Sequence, residues 1–326
     1  MKAERRNLPA SVMARLLARA KQTGDDYQTL LTAFCFERFL YRLGVSSART
    51  RFVLKGAMLL RLWSDRPYRA TRDLDLLRAG NGSFAAIQAD IEAICSTKVD
   101  PDAVEFDPSA LDIVAIRAED EYAGTRAHLL ARCGKARFTL QIDMGLGDSV
   151  WPVPQPCAYP ALLEFPAPTV LAYPPDAVVA EKLEAIVILG NRNSRIKDFF
   201  DLHHLASHFE FDRVTLAEAI RRTFARRGTP VPTEDPIGLT PAYWDNASRA
   251  PQVRAFARRA VLTVAHDPGA DLLSALRPFL LPILEDLRLA VATPGRWAPG
   301  GPWQSRTGPS IPAPSGWEKS PPMGAS

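Results

Sequence analysis

Apolar positions recur at three- and four-residue spacing near the start of the chain, most clearly at Leu30, Leu31, Phe34, Phe39 and Leu40. That period marks helices burying one face and predicts helix over residues 11–43. Gly44 and the Ser46-Ser47 pair are expected to end it. Phe52-Val53-Leu54 is a short apolar run of the kind found in buried strands, and it leads into Lys55-Gly56. Residues 57–63 are good helix formers. A second strand is expected at 74–77, a loop at Gly80-Asn81-Gly82 and a helix at 83–95.

Further strands are expected at 104–106, 112–117, 125–132 and 138–144, the last pair flanking a hairpin turn at Cys133-Gly134-Lys135-Ala136. Prolines are dense between Pro152 and Pro175, which disfavours helix and reads as a connector. Helices return at 176–189, 196–208, 216–226, 251–264 and 271–289. Beyond Thr293 the chain is rich in Pro, Gly and Ser and is expected to be disordered. The pattern predicts an α+β protein: N-terminal helices and a small mixed sheet in residues 1–165, a mostly helical domain in 166–292 that completes the site, and a tail in 293–326.

The 326 residues, 47% hydrophobic and 23% charged, are enough to build more than one core. No apolar run approaches the ~20 residues of a membrane helix, and the charged N-terminus leads into no signal core, so a cytoplasmic protein is expected. Cys35, Cys95, Cys133 and Cys157 lie too far apart for a zinc knuckle and are expected to be reduced thiols. The net charge of +4 is compatible with a polyanionic partner. Arg221, Arg222, Arg226 and Arg227 form one basic cluster, Arg254, Arg258 and Arg259 another; solvated helix faces are the plainer explanation of both.

The sharpest chemical candidate is Asp73-Leu74-Asp75. On a strand, residues two apart project from the same face, so both carboxylates point one way and repel unless a cation lies between them. Magnesium takes such oxygen ligands together with substrate phosphates. A solvated strand edge would show the same pair. Gly56, between a strand and a helix, would allow close approach of a phosphate, or is an ordinary strand-to-helix glycine. Asp143 points opposite to Ile142 and Met144 and is either a third acid or a strand-ending residue bonded to the Gly145–Asp148 loop. Arg195, Asp198 and Asp201 share a helical face, with Lys197 spaced to pair with Asp201. Lys182 beside an aspartate would meet phosphate as a point charge, whereas the whole run could be an ion-paired surface helix. His204 and His208 are four apart but lack the glutamate of a zinc protease motif, which favours packing or surface roles. Neither a Gly-x-x-x-x-Gly-Lys-Ser/Thr loop nor a Gly-x-Ser-x-Gly elbow is present.

In their joint order these segments resemble the AbiEii/AbiGii toxin family of nucleotidyltransferases, the enzyme half of type IV toxin–antitoxin systems. The resemblance is carried by Glu37-Arg38-Phe39-Leu40-Tyr41-Arg42-Leu43, Phe52-Val53-Leu54-Lys55-Gly56-Ala57, Tyr68-Arg69-Ala70-Thr71-Arg72-Asp73-Leu74-Asp75-Leu76 and Glu121-Tyr122-x-Gly124. It continues in Gln141-Ile142-Asp143-x-Gly145-x-Gly147-Asp148, Ala180-Glu181-Lys182-Leu183-Glu184-Ala185 and Arg195-Ile196-Lys197-Asp198-Phe199-Phe200-Asp201-Leu202. The likeness implies a polymerase-β-like nucleotidyltransferase fold with a helical C-terminal domain, a nucleoside triphosphate substrate and magnesium, with two ions. By position, Asp73, Asp75 and Asp143 are implied as metal carboxylates and, with Lys182 and Asp198, as the catalytic set. Lys55, Gly56, Ala57, Thr71, Lys182 and Arg195 are implied nucleotide-binding positions, Ala57 standing where many relatives carry Gly or Ser. RNA, above all the 3′ end of tRNA, is the implied acceptor, its modification the block to translation, and a cognate antitoxin the implied partner. A protein hydroxyl or small metabolite as acceptor, or a non-catalytic module keeping the fold, are the competing readings.

Overall fold

Asn7 accepts a hydrogen bond from the Ala10 amide at 3.2 Å and caps helix α1, Leu8–Thr23, which stops at a left-handed Gly24. Asp26 caps α2, Tyr27–Val45, through the Thr29 amide at 2.8 Å. The computed structural model describes residues 7–64, 69, 71–116, 124–260 and 268–305. Tyr68, Ala70, Arg117, Glu121, Tyr122, the predicted helix end at 261–264 and the tail at 306–326 lie outside them. The chain divides into two compact units, the first holding residues up to Gly147 with Gln155–Ala172, the second holding Asp148–Pro154 and the chain from Tyr173.

In the first unit α2 is buried along most of its length, including Glu37 and Arg38 at 0% exposure. Such charges survive inside only when paired and hydrogen-bonded. Glu37 accepts from the Leu162 amide at 2.6 Å and from Arg38 at 2.5 Å, while Arg38 also donates to the Pro166 carbonyl at 2.9 Å. These bonds fix the proline-dense stretch, which is more than a connector. It contains strands Gln155–Ala158 and Thr169–Ala172. Both are short, and Pro156 is tolerated because its strand lies at the sheet edge.

The remaining strands are β1 Phe52–Lys55, β2 Asp73–Arg78, β3 Val104–Ile116, β4 Gly124–Cys133 and β5 Ala136–Leu146, followed by the two just described as β6 and β7. They form one seven-stranded mixed sheet ordered β3-β4-β5-β2-β1-β7-β6. β2 runs parallel to β5 and β1 parallel to β7; the other pairings are antiparallel. The separate strands expected at 104–106 and 112–117 are one edge strand with a register shift between Asp107 and Asp112, where Pro108 cannot donate to a ladder. After β1 come a 3-10 turn at Gly56–Met58 and helix α3, Leu59–Trp63; α4, Phe84–Cys95, follows its Ser83 cap. Gly44 does not stop α2. A Cβ there would stand 2.3 Å from the Thr169 carbonyl oxygen, so glycine lets the helix lie on β7.

The second unit is mainly helical: α5 Pro175–Leu189, α6 Ile196–His208, α7 Arg213–Arg227, α8 Pro241–Trp244, α9 Arg249–Arg259 and α10 Pro268–Leu289. It also holds a small antiparallel sheet of β8 Phe211–Asp212, β9 Gly295–Trp297 and β10 Trp303–Ser305. Over residues 295–305 the expected disorder is therefore corrected: Pro and Gly dominate the composition, but two tryptophans anchor this segment. Trp297 is 3% exposed and donates to the Ala206 carbonyl at 2.7 Å; Trp303 donates to the Phe279 carbonyl at 2.9 Å. Trp297→Ala is expected to cost about 3–5 kcal/mol in urea unfolding, the range for a buried aromatic. An unchanged midpoint would show the segment to be dispensable.

Candidate active site

Register across the sheet assembles the first unit's polar row. Asp75 pairs with Lys55 on β1 and with Asp143 on β5, and Asp143 pairs with Arg126 on β4. Directly opposed residues in neighbouring strands project from one face, so Lys55, Asp75, Asp143 and Arg126 form a line of alternating charge. Asp73 shares the face, opposite Gln141. Leu74, Leu76, Ile142 and Met144 take the other face and are buried at 1% exposure or less. The period-two pattern read in the sequence is thus the structural cause of the carboxylate pair.

Gly56 meets this row directly. Its φ is +69°, and a Cβ would lie 2.0 Å from Asp75 Oδ2 and 2.6 Å from Asp75 Cβ. No side chain fits there without moving Asp75. The helix beyond is only five residues long, so the glycine is explained first by the close approach of Asp75. Ala57 is buried inside the same turn. Thr71 holds the start of β2, its hydroxyl donating to the Asp73 carbonyl at 3.1 Å and lying 3.3 Å from the Asp73 amide.

Asp143 is held by Arg126, a residue the sequence did not single out. Nε and Nη2 of Arg126 each donate to one Asp143 oxygen at 2.8 Å, and Gln141 adds a bond at 3.3 Å. The donor set of Asp73 and Asp75 fits a hard cation that keeps waters and phosphate oxygens as its other ligands. Among the described residues no group of three or more His, Cys, Asp or Glu is arranged as a metal cage. For Asp143 to join a metal, its bidentate arginine must be exchanged for the ion.

In the second unit, Lys182 on α5 reaches two acids of α6. Its Nζ lies 2.6 Å from Asp198 Oδ1 and 2.6 Å from Asp201 Oδ2, with the Asp198 side chain at 0% exposure and Asp201 at 4%. Arg195 Nε approaches Asp198 Oδ2 at 2.7 Å, off the line of a hydrogen bond, so this contact is chiefly Coulombic. Asp201 is held by Lys182 from the neighbouring helix. An isolated ion-paired surface helix is excluded: Asp198, Phe199, Asp201 and Leu202 are all buried.

The basic cluster of α7 is largely neutralised. Arg221 and Arg222 share Glu218, Arg222 covers the Trp151 ring at 4.2 Å, and Arg227 reaches Glu184 at 2.8 Å and Glu181 at 3.3 Å. His204 is partly buried and His208 is exposed. His204 and His208 stack with centroids 4.3 Å apart, and His208 Nδ1 donates to the His204 carbonyl. Burial, helped by the His208 charge, pushes His204 down to about 4. The unfolded chain then binds a proton the native state refuses, so stability present above pH 6.5 is lost as pH falls towards 4. His204→Phe is expected to remove up to ~3 kcal/mol of that acid slope in denaturant titrations; an identical slope would refute the cause given.

The first unit thus carries a seven-stranded mixed sheet with paired carboxylates, and the second a lysine held by two acids. The chain belongs to the AbiEii family: residues 38–274 match the family described as nucleotidyl transferase AbiEii toxin of type IV toxin–antitoxin systems. It is therefore a nucleotidyltransferase of the toxin class, and membership implies a nucleoside triphosphate substrate and an antitoxin partner. The structure is similar to JHP933 from Helicobacter pylori, at 15% identity and a TM-score of 0.39 over 72% of this chain and 92% of that one. A second H. pylori chain, to which nucleotidyltransferase activity is ascribed, aligns at 16% identity and a TM-score of 0.38 over 72% of this chain and 95% of its own. Likenesses at this level carry no part of the assignment. No curated protein matches the sequence. Among the described residues no helix is long and apolar enough to cross a membrane.

Proposed function

We propose that this protein is a magnesium-dependent toxin that transfers nucleotides from a nucleoside triphosphate to the 3′ end of an RNA, foremost tRNA, and so blocks translation. The observation that carries the chemistry is the carboxylate row: Asp73 and Asp75 on one face, with Gly56 against Asp75 and Asp143 in register beside it. Asp73 and Asp75 would hold the magnesium, and Asp143 is the further acid, available to a second ion once released from Arg126. Magnesium bound there would offset the charge of the triphosphate and of the departing pyrophosphate.

The acceptor hydroxyl passes its proton to a base, Asp143 once freed from Arg126 or a water, and its oxygen attacks the α-phosphorus; a new P–O bond forms as the bond to pyrophosphate breaks. Lys182 supplies a phosphate-directed point charge, kept in one orientation by Asp198 and Asp201. Arg195 braces Asp198, and Lys55, Ala57 and Thr71 shape the nucleotide's surroundings. The RNA acceptor rests on the resemblance to the family; Arg221, Arg222 and Arg227 are paired with acids of this chain. The cytoplasm, where tRNA and an antitoxin would be met, is the proposed compartment.

Sequencing RNA 3′ ends after incubation with each nucleoside triphosphate and magnesium tests this. Added nucleotides on tRNA are expected with wild type and none with Asp73→Ala. Label entering protein or small metabolites instead of RNA would move the acceptor to those classes, and growth inhibition persisting in Asp73→Ala would overturn the mechanism.

A further inference from the structure

Helix α6 begins at Ile196 with no side-chain cap at Arg195, although it carries the acids that hold Lys182. An uncapped first turn frays unless something else fixes it. The preceding loop, Gly190–Arg192 with Asn193, is gripped from outside. Asn193 is 0% exposed; its Oδ1 accepts from the Arg195 amide at 2.8 Å, and the Asp198 amide bonds the Arg195 carbonyl at 2.9 Å. The Asn193 carbonyl receives the Tyr243 hydroxyl at 2.7 Å and Arg249 Nη1, while Arg249 Nη2 donates to the Asn191 carbonyl at 2.6 Å.

Arg249 is 6% exposed and lies 4.1 Å over the Tyr243 ring. Tyr243 and Trp244 also pack on Phe199, next to Asp198, with centroids 5.4 and 4.8 Å away. A guanidinium is costly to bury, and its rigid planar fork spans two separate carbonyls that a compact ammonium does not match in geometry.

The geometry points to Arg249 and Tyr243 as positioning residues that fix the Asn193 carbonyl and thereby the Arg195–Asp198 turn that orients Lys182. Neither residue belongs to the segments that carry the site motifs. The role in catalysis rests on the assignment of Lys182 made above; the clamp itself does not.

Tyr243→Phe removes one hydroxyl and keeps the ring; Arg249→Lys keeps the charge and loses the fork. Each is examined in the full chain by hydrogen exchange of residues 193–199 and by transfer onto total tRNA of whichever triphosphate the wild type uses. Exchange at the Arg195 and Asp198 amides is expected to quicken about tenfold, with KM for the triphosphate rising by a similar factor and kcat falling less. Unchanged exchange at those amides would overturn the clamp. Faster exchange with kcat and KM both at wild-type values would leave it structural only and overturn the positioning role. Lys182→Ala is run alongside: if it retains full transfer while the clamp variants lose theirs, the lysine's assignment fails and the clamp acts through Arg195 or Asp198.

Discussion

Gly56→Ala is expected to lower nucleotide transfer by roughly a hundredfold or more, the penalty for displacing a catalytic group by about 1 Å. The cause is steric and local. A methyl group at this position would stand 2.0 Å from Asp75 Oδ2, 2.5 Å from Cγ and 2.6 Å from Cβ. The carboxylate could rotate away, but Cβ is fixed to strand β2, so β1 and β2 must part or Asp75 must leave its row. Gly80→Ala supplies the control. Gly80 has a φ of +87° with nothing within 4 Å of a built Cβ, so it carries the left-handed backbone penalty, about 1 kcal/mol, without the collision. Both variants should lose modest stability; only Gly56→Ala should lose transfer. Equal activity in the two would show that Asp75 need not stay where Gly56 allows it.

Those two glycines also mark how far the sequence could be read. The same-face projection of Asp73 and Asp75 needs only strand periodicity, and it was legible. The reason for Gly56 was not, because Asp75 reaches it across a strand pairing that no local pattern states. Arg126 is an intermediate case. Once Gly134-Lys135 is taken as the turn, counting back along the hairpin from the Cys133–Ala136 pair places Arg126 opposite Asp143. The signal was present but required register, not composition. Lys182 and Asp201 meet between helices, a contact that an i, i+4 rule applied to α6 alone does not state. Composition misled in both units: prolines hid edge strand β6 in the first, and Pro and Gly outweighed the tryptophans that pin β9 and β10 in the second.

Lys182 invites the opposite kind of test, one in which stability and catalysis are pulled apart. Lys182→Met is expected to cost roughly 3–5 kcal/mol of unfolding free energy, because it removes the cation from two buried carboxylates. Asp198 retains Arg195 at 2.7 Å, and Asp201 loses its 2.6 Å contact with the lysine. Neutralising that acid as well, in Lys182→Met with Asp201→Asn, is then expected to recover most of the stability. Transfer should stay absent in both proteins, since the phosphate-directed charge is gone from each. If the double variant regained activity along with stability, Lys182 would be no more than a structural counter-ion. If it regained neither, Asp198 rather than Asp201 would bear the uncompensated charge, and Lys182→Met with Asp198→Asn becomes the informative pair. Stability restored without transfer is the outcome that separates a lysine which holds two helices together from one which also meets the substrate.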